Sequence, residues 1–328
     1  MASKNLVNLD AMILREDFAL LGKSTSSTFD SITSISVQNF LPGNFIAPIL
    51  RKPDFQRETN HWTPEQVVSL LECFIGGDLI PSVILWRSPT YLFVIDGGHR
   101  LSVLRAWIED DYGDSTTSKK FFGEDAIPKE QKLAADKTRD LISEKIGSWQ
   151  QFQTLTSSAE PSDSDLKKIN TVNTRGLQIQ WVQGGADKAE DSFFKINTMG
   201  TPLDDIEELL LKNRKKPIAI ASRAVIRFGM GHKYWAPFGE EIGNQIVHLA
   251  KGLHTTLFDP EMDSLTKTLD LPLGGSKGVR AALQVLIEFI LTANKNHLGK
   301  PSGIGEFYDD ESGEKTVEVL TKAVELAK

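Results

Sequence analysis

Tyr91-Leu92-Phe93-Val94-Ile95-Asp96-Gly97-Gly98-His99-Arg100-Leu101 is the stretch on which the fold of this chain turns. Residues 91–95, rich in aromatic and β-branched types, predict a buried strand. Asp96-Gly97-Gly98 breaks it, and a mostly apolar helical pattern then runs from Leu101 to Ile108. Two glycines between strand and helix permit close backbone approach and unusual dihedrals. The helix start then offers unpaired amides and the positive end of its dipole to a phosphate. Arg100 can add a bidentate, charge-assisted contact, and Asp96 can hold a metal ion or simply orient the turn. Taken alone, a Gly-Gly turn is better read as a plain strand-to-helix connection in which Asp96 caps the helix and Arg100 sits in solvent, because short motifs match by chance.

Working outward, Thr63-Pro64-Glu65-Gln66 marks a helix start: Thr as cap, Pro at the first helical position, Gln three residues after the cap. Val67, Leu70, Leu71 and Phe74 recur on one face, and Gly76-Gly77 ends the helix. Strands are predicted at residues 82–86 and 91–95, joined by the turn Arg87-Ser88-Pro89-Thr90. Residues 109–170 are more polar: 119–145 is a charge-mixed surface helical insertion and 156–165 a linker or loop. Residues 177–182 return to strand, 186–196 are helical, and 197–202 form a loop before another helix. Beyond Leu203 the pattern is almost wholly helical. Residues 1–45, rich in Ser and Thr, form a loosely attached arm or edge element. The organisation is thus α+β: an arm at 1–45, a mixed module at 46–202 and a mainly helical region at 203–328.

With 328 residues the chain has room for one large or two ordinary domains. Its 37 basic and 44 acidic residues give −7, which disfavours a uniformly basic nucleic-acid binder. The single cysteine, Cys73, excludes an internal disulfide framework and a Cys-based zinc site, and falls beside the apolar helix face as a core residue. The opening MASKNLVNLDAMILRED has no apolar run of signal-peptide length, and Val279 to Ala293 is interrupted by Arg280 and Glu288. A cytoplasmic protein with no membrane partner is expected.

The average charge conceals a polarised chain. Lys212, Arg214, Lys215, Lys216, Arg223, Arg227 and Lys233 lie between Leu209 and Gly239 with no acidic residue among them. If Pro217 starts a helix, Ile218, Ala221, Val225 and Phe228 share a face while Arg223 and Arg227 project from another. Such a cluster can contact DNA or RNA phosphates, with the aromatic pair Tyr234-Trp235 available for base stacking. Equally, Lys212, Arg214, Lys215 and Lys216 complement the C-terminal dipole of the helix begun by Asp204 and Asp205, and Trp235 can be core.

The order Phe55-Gln56-Arg57, Trp62, the capped helix, Ile80-Pro81 and Asp96-Gly97-Gly98-His99-Arg100 resembles the ParB/sulfiredoxin-like superfamily. It is closest to the N-terminal domain of GmrSD-type modification-dependent restriction enzymes, which carries Tyr-Gln-Arg and Asp-Gly-Gln-Gln-Arg segments. The related DndB-like proteins have Asp-Gly-Gln-His-Arg, which His99 fits. A third block, Phe193-Phe194-Lys195-Ile196-Asn197-Thr198-Met199-Gly200, resembles the family's Phe-x-x-Ile-Asn-x-x-Gly motif.

The resemblance implies a ParB-like fold that binds, and in several branches hydrolyses, a nucleoside triphosphate with Mg²⁺, in DNA modification, restriction or phage defence. By position, Asp96, Gly97, Gly98, His99 and Arg100 cradle the phosphates, with Gln56, Arg57 and Asn197 completing the pocket. Asp96 or His99 would orient water, the residues deciding for neither. Gly98 departs from the family's Gln, which leaves binding the firmer implication, and from the catalytic Cys of sulfiredoxin, which excludes that redox chemistry. His232, His248, His254 and His297 form no His-Asn-His nuclease pattern; His248 is read as packed along a helix. A nuclease or modification enzyme would therefore be a separate partner chain. The alternative is a non-enzymatic DNA-binding regulator or partner scaffold using the basic segment.

Overall fold

The computed structural model describes residues 6–18, 32–56, 59–60, 62–123, 127–156, 161–199, 205–258, 279–300 and 302–328. It divides into two compact units, Met1–Pro202 and Leu203–Lys328. In the first, strands β1 (Arg15–Glu16), β2 (Ser34–Ser36), β3 (Leu50–Pro53), β4 (Val83–Arg87), β5 (Leu92–Asp96) and β6 (Gly176–Trp181) form one mixed sheet of order β1-β3-β5-β4-β6-β2. Helices α1 (Pro64–Gly76), α2 (Gly98–Glu109), α3 (Thr116–Phe122), α4 (Lys129–Lys145), α5 (Trp149–Thr156), α6 (Asp163–Thr174) and α7 (Ala186–Met199) accompany it. The α+β class read from the sequence is the class observed.

Local chemistry explains the centre of this unit. Thr63 Oγ1 accepts from the Gln66 amide while Gln66 Oε1 accepts from the Thr63 amide, a reciprocal capping box. Gly77, at φ 87°, ends α1 in the left-handed conformation that glycine adopts without cost. Val67, Leu71 and Phe74 bury the inner face of α1, each contributing about 1.5–3 kcal/mol. Strands β4 and β5 form an antiparallel hairpin whose turn is closed by Ser88: its Oγ accepts the Tyr91 amide at 2.9 Å. Leu92 to Ile95 are all buried, because β5 lies inside the sheet with β3 on one side and β4 on the other.

Three expectations change here. Of the roles open to residues 1–45, the described ones take the edge role: β1 and β2 are the two margins of the sheet, and Val7, Leu9, Met12 and Ile13 belong to its core. They are firmly attached. The helix read as ending at 196 runs on through Met199, so Asn197 is helical instead of in a loop. The insertion does form helices, but α4 is anchored rather than merely superficial, with Ala134, Ala135, Thr138 and Ile142 buried.

The second unit contains α8 (Asp205–Lys212), α9 (Pro217–Ile226), α10 (Glu240–Phe258), α11 (Val279–Ala293) and α12 (Glu314–Ala327). Helix α9 starts at Pro217 and buries most of its residues against α10, α11 and α12, as a helix apolar on nearly every side must. Among the described residues no helix is long and apolar enough to cross a membrane.

A buried ionic cluster ties the edge of the sheet to the chain beyond β3. Asp10 receives Lys52 Nζ at 2.7 Å, the Arg15 guanidinium and the Thr59 amide at 3.0 Å. Burial would raise the Asp10 pKa, but Arg15 and Lys52 outweigh it and hold the carboxyl well below 3.8. Burial pulls Lys52 down to about 8, against the upward pull of Asp10. The depressed Asp10 stabilises the fold above its unfolded value and loses that contribution as pH falls through the folded one. Lys52 has the opposite balance: its burial penalty stands below about pH 8 and is relieved towards 10.5, where the unfolded chain still holds the proton. Asp10→Asn should therefore cost about 3–5 kcal/mol at neutral pH by stranding two buried cations, and flatten the loss of stability below pH ~4. Urea-unfolding midpoints against pH measure both; an unchanged acid limb would refute the assignment.

Candidate functional site

Three segments distant in sequence meet in the first unit. At the first, β5 ends on Asp96 and α2 begins at Gly98, with Gly97 between them at φ 92°. A Cβ at Gly97 would lie 3.0 Å from Val83 Cγ2 and 3.1 Å from a guanidinium nitrogen of Arg100, so both dihedral and space require glycine. No side chain caps this helix start, which leaves the first-turn amides pointing out of the helix.

Neither feature of the plain-turn account is present. Asp96 does not cap α2; it pairs with Arg100 at 2.7 Å. Arg100 is not in solvent: the same nitrogen also donates to the Ser82 carbonyl at 3.0 Å, and the side chain is 17% exposed. Its Nε is buried with no hydrogen-bond partner.

The second segment supplies Gln56, 8% exposed. Its Nε2 donates to the Ile95 carbonyl at 3.3 Å, and its Oε1 is buried without a partner. The carboxamide lies over Gly98, where a Cβ would come 3.4 Å from Oε1. The third segment is α7. Phe55, fully buried, packs on Phe193 and Phe194 with ring centroids 5.1 and 6.1 Å apart. The aromatic residues of the first and third motifs thus touch, while Gln56 touches the second. Arg57 lies outside the described residues, as does the side chain of Asn197.

Sequence reasoning missed two contacts. His99 stacks on Trp62 at 5.2 Å with the planes 21° apart, so the Trp that marks the start of α1 also fixes the ring of the turn. The Ser82 carbonyl anchors Arg100. Only the Trp62 position carried a signal, as an aromatic immediately before the capped helix. Among the described residues no three His, Cys, Asp or Glu side chains form a metal-binding group.

A cleft of about 780 Å³ lies elsewhere in the unit, lined in part by Arg51, Arg105, Glu109, Thr117 and Trp149. Its charges are satisfied internally: Arg105 binds Glu109 at 2.6 Å, Thr117 binds the other Glu109 oxygen at 2.6 Å, and Arg51 donates to the Pro48 and Leu50 carbonyls. The turn, where Gln56 Oε1 and Arg100 Nε are buried without a hydrogen-bond partner, is the better candidate.

The basic segment divides. Lys212 pairs with Glu208 one turn back on α8, and Lys215 is exposed. Arg214 is half-buried, and Lys216 reaches the Gly305 carbonyl at 3.4 Å. Arg223 lies over the Tyr234 ring at 4.1 Å, so it does not project freely as a pair with the half-buried Arg227. Trp235 is core, and His248 is exposed on α10 rather than packed.

The family model described as GmrSD restriction endonuclease, N-terminal domain, matches residues 37–214, more than half of the chain. No curated protein and no solved structure matches it.

The two glycines should respond differently to the same methyl group. Gly97→Ala forces a left-handed alanine into Val83 and should cost about 1–2 kcal/mol or more, whereas Gly98→Ala meets ordinary contact and should stay within about 1 kcal/mol of the parent. Chemical denaturation compares them; equal losses would contradict the assigned roles.

Proposed function

The chain belongs to the family of the GmrSD restriction endonuclease N-terminal domain, and on that premise we propose that it binds a nucleoside triphosphate with Mg²⁺ at residues 96–100, in DNA modification, restriction or phage defence. The observation that carries this reading is the convergence of unmet polar atoms on one uncapped helix start. Gln56 Oε1 and Arg100 Nε are buried without partners beside the α2 N-terminus. A buried polar atom left unsatisfied costs about 1–3 kcal/mol, and a ligand that completes it recovers that cost.

In this reading the α2 amides and Arg100 neutralise phosphate charge. Asp96, with its side chain 42% exposed, is the more accessible of the two water- or metal-orienting candidates, since His99 is stacked on Trp62. Arg57 and Asn197 join the pocket by their match to the family motifs. Hydrolysis is the further step, in which positioning and charge neutralisation supply most of the catalysis. A separate nuclease or modification protein is the partner through which the nucleotide state would act.

A second reading rests on the acid-free run from Leu209 to Gly239: a DNA-binding regulator that contacts phosphates through Lys212, Arg214, Lys215, Lys216, Arg223 and Arg227. Its exposed members, Lys212 and Lys215, are the ones open to test.

Nucleoside triphosphate with Mg²⁺ should raise the melting temperature, the gain amounting to about 2.7 kcal/mol at a hundredfold excess over Kd. Arg100→Ala should abolish both that shift and any phosphate release. An unshifted wild-type chain, or an unaffected variant, removes the nucleotide reading. Lys212→Glu/Lys215→Glu should weaken duplex DNA binding and lower its salt dependence, with Arg100→Ala leaving it unchanged; salt-independent binding would count against the second reading.

A further inference from the structure

We propose that Phe228 is a base-stacking residue that engages single-stranded nucleic acid on the helical unit. The inference rests on the second reading, that this unit meets nucleic acid, and goes beyond phosphate contact.

The backbone carries the first observation. After α9 the Phe228 amide donates to the Val225 carbonyl at 3.0 Å and the Gly229 amide to the Ala224 carbonyl at 2.8 Å. This closure puts Phe228 at φ 53°, a left-handed position that favours glycine and penalises a bulky residue. Gly229, also left-handed, has a packing reason to be glycine, since a Cβ there would meet Val247 Cγ1 at 3.0 Å. Phe228 is not among the residues packed into the core of this unit. The residue is 36% exposed, so the strained backbone holds an aromatic side chain at the surface.

Its surroundings are the second observation. Lys251 Nζ lies 5.4 Å from the ring centroid. His254 meets the ring edge-to-face at 5.2 Å, and its Nδ1 is 2.8 Å from the Val225 carbonyl, which fixes that nitrogen as the donor. Phe258 continues the stack at 4.9 Å from His254. Within α10 the acidic pair Glu240 and Glu241 lies at the opposite end of the helix from His254 and Phe258. A part-exposed aromatic side chain beside the Lys251 ammonium fits a base and its phosphate. A duplex satisfies only the lysine, because its base faces are already stacked, whereas an unpaired strand offers both groups.

The test uses the full chain and labelled 20-nucleotide strands at one fixed ionic strength, read by fluorescence anisotropy. Oligothymidylate should bind about tenfold or more tightly than an abasic strand of equal charge. Phe228→Gly should lose that preference, Phe228→Tyr should keep it, and the glycine variant should melt at the same temperature or higher because it relieves the left-handed strain. Equal binding of thymidylate and abasic strands by the wild-type chain would overturn stacking while leaving phosphate contact intact. An unchanged preference in Phe228→Gly would also overturn it. Failure of the wild-type chain to bind any strand or duplex would remove the second reading as well, and capture of poly-glutamate in place of oligonucleotide would identify an acidic-peptide surface instead.

Discussion

The carboxylate of Asp10 is enclosed with Lys52 Nζ at 2.7 Å, the Arg15 guanidinium against it and the Thr59 amide at 3.0 Å. Lys52 is fully buried, so it can neither rotate to water nor lose Asp10 without a large desolvation cost. This cluster fixes the edge strand beside β3 and the turn that leaves β3, and Arg15 Nε continues from it to the Gln56 carbonyl at 3.3 Å. Gln56 in turn reaches the Ile95 carbonyl and covers Gly98. The geometry of the helix start at residues 96–100 therefore depends on an ion cluster that takes no part in it. That dependence runs from local structure, through packing, to the site.

The parts of the fold legible in sequence are those whose causes lie within a few residues. Thr63 and Gln66 announce α1, Gly77 ends it, and Ser88 closes the hairpin, each through contacts that span four residues or fewer. What was not legible depends on distant partners. Asp10, Arg15 and Lys52 look like solvated charges until the sheet brings residues 10 and 52 together. A charge-mixed sequence hid the stripe of Ala134, Ala135, Thr138 and Ile142 along α4, because small residues contribute little to a hydrophobic pattern. Asn197 and Thr198 have modest helix propensity, yet α7 carries them through to Met199.

The candidate site was legible in composition and not in geometry. Two adjacent glycines look alike in sequence, but Gly97 answers to a left-handed dihedral and the nearness of Val83, while Gly98 answers to the approach of Gln56. The three motif blocks could be ordered along the chain, whereas their convergence required Phe55 to find Phe193 and Phe194. In the basic segment, charge was readable and availability was not. Arg223 is engaged by Tyr234, and Lys212 by Glu208 on its own helix.

Arg100 would have to serve a phosphate from a position in which it already holds Asp96 and the Ser82 carbonyl. The physical chemistry permits the exchange. An ion pair with one partner as open as Asp96 contributes on the order of 1 kcal/mol or less, because solvent screens it and holding two side chains in place costs entropy. A triphosphate carries several negative charges and would meet the arginine together with the α2 dipole, with Mg²⁺ available to Asp96 once the pair opens. The pair would then keep the guanidinium folded over Gly97 before a ligand arrives, without competing strongly with it. Gly97 is indispensable to that arrangement, since any side chain there would occupy the space into which Arg100 folds.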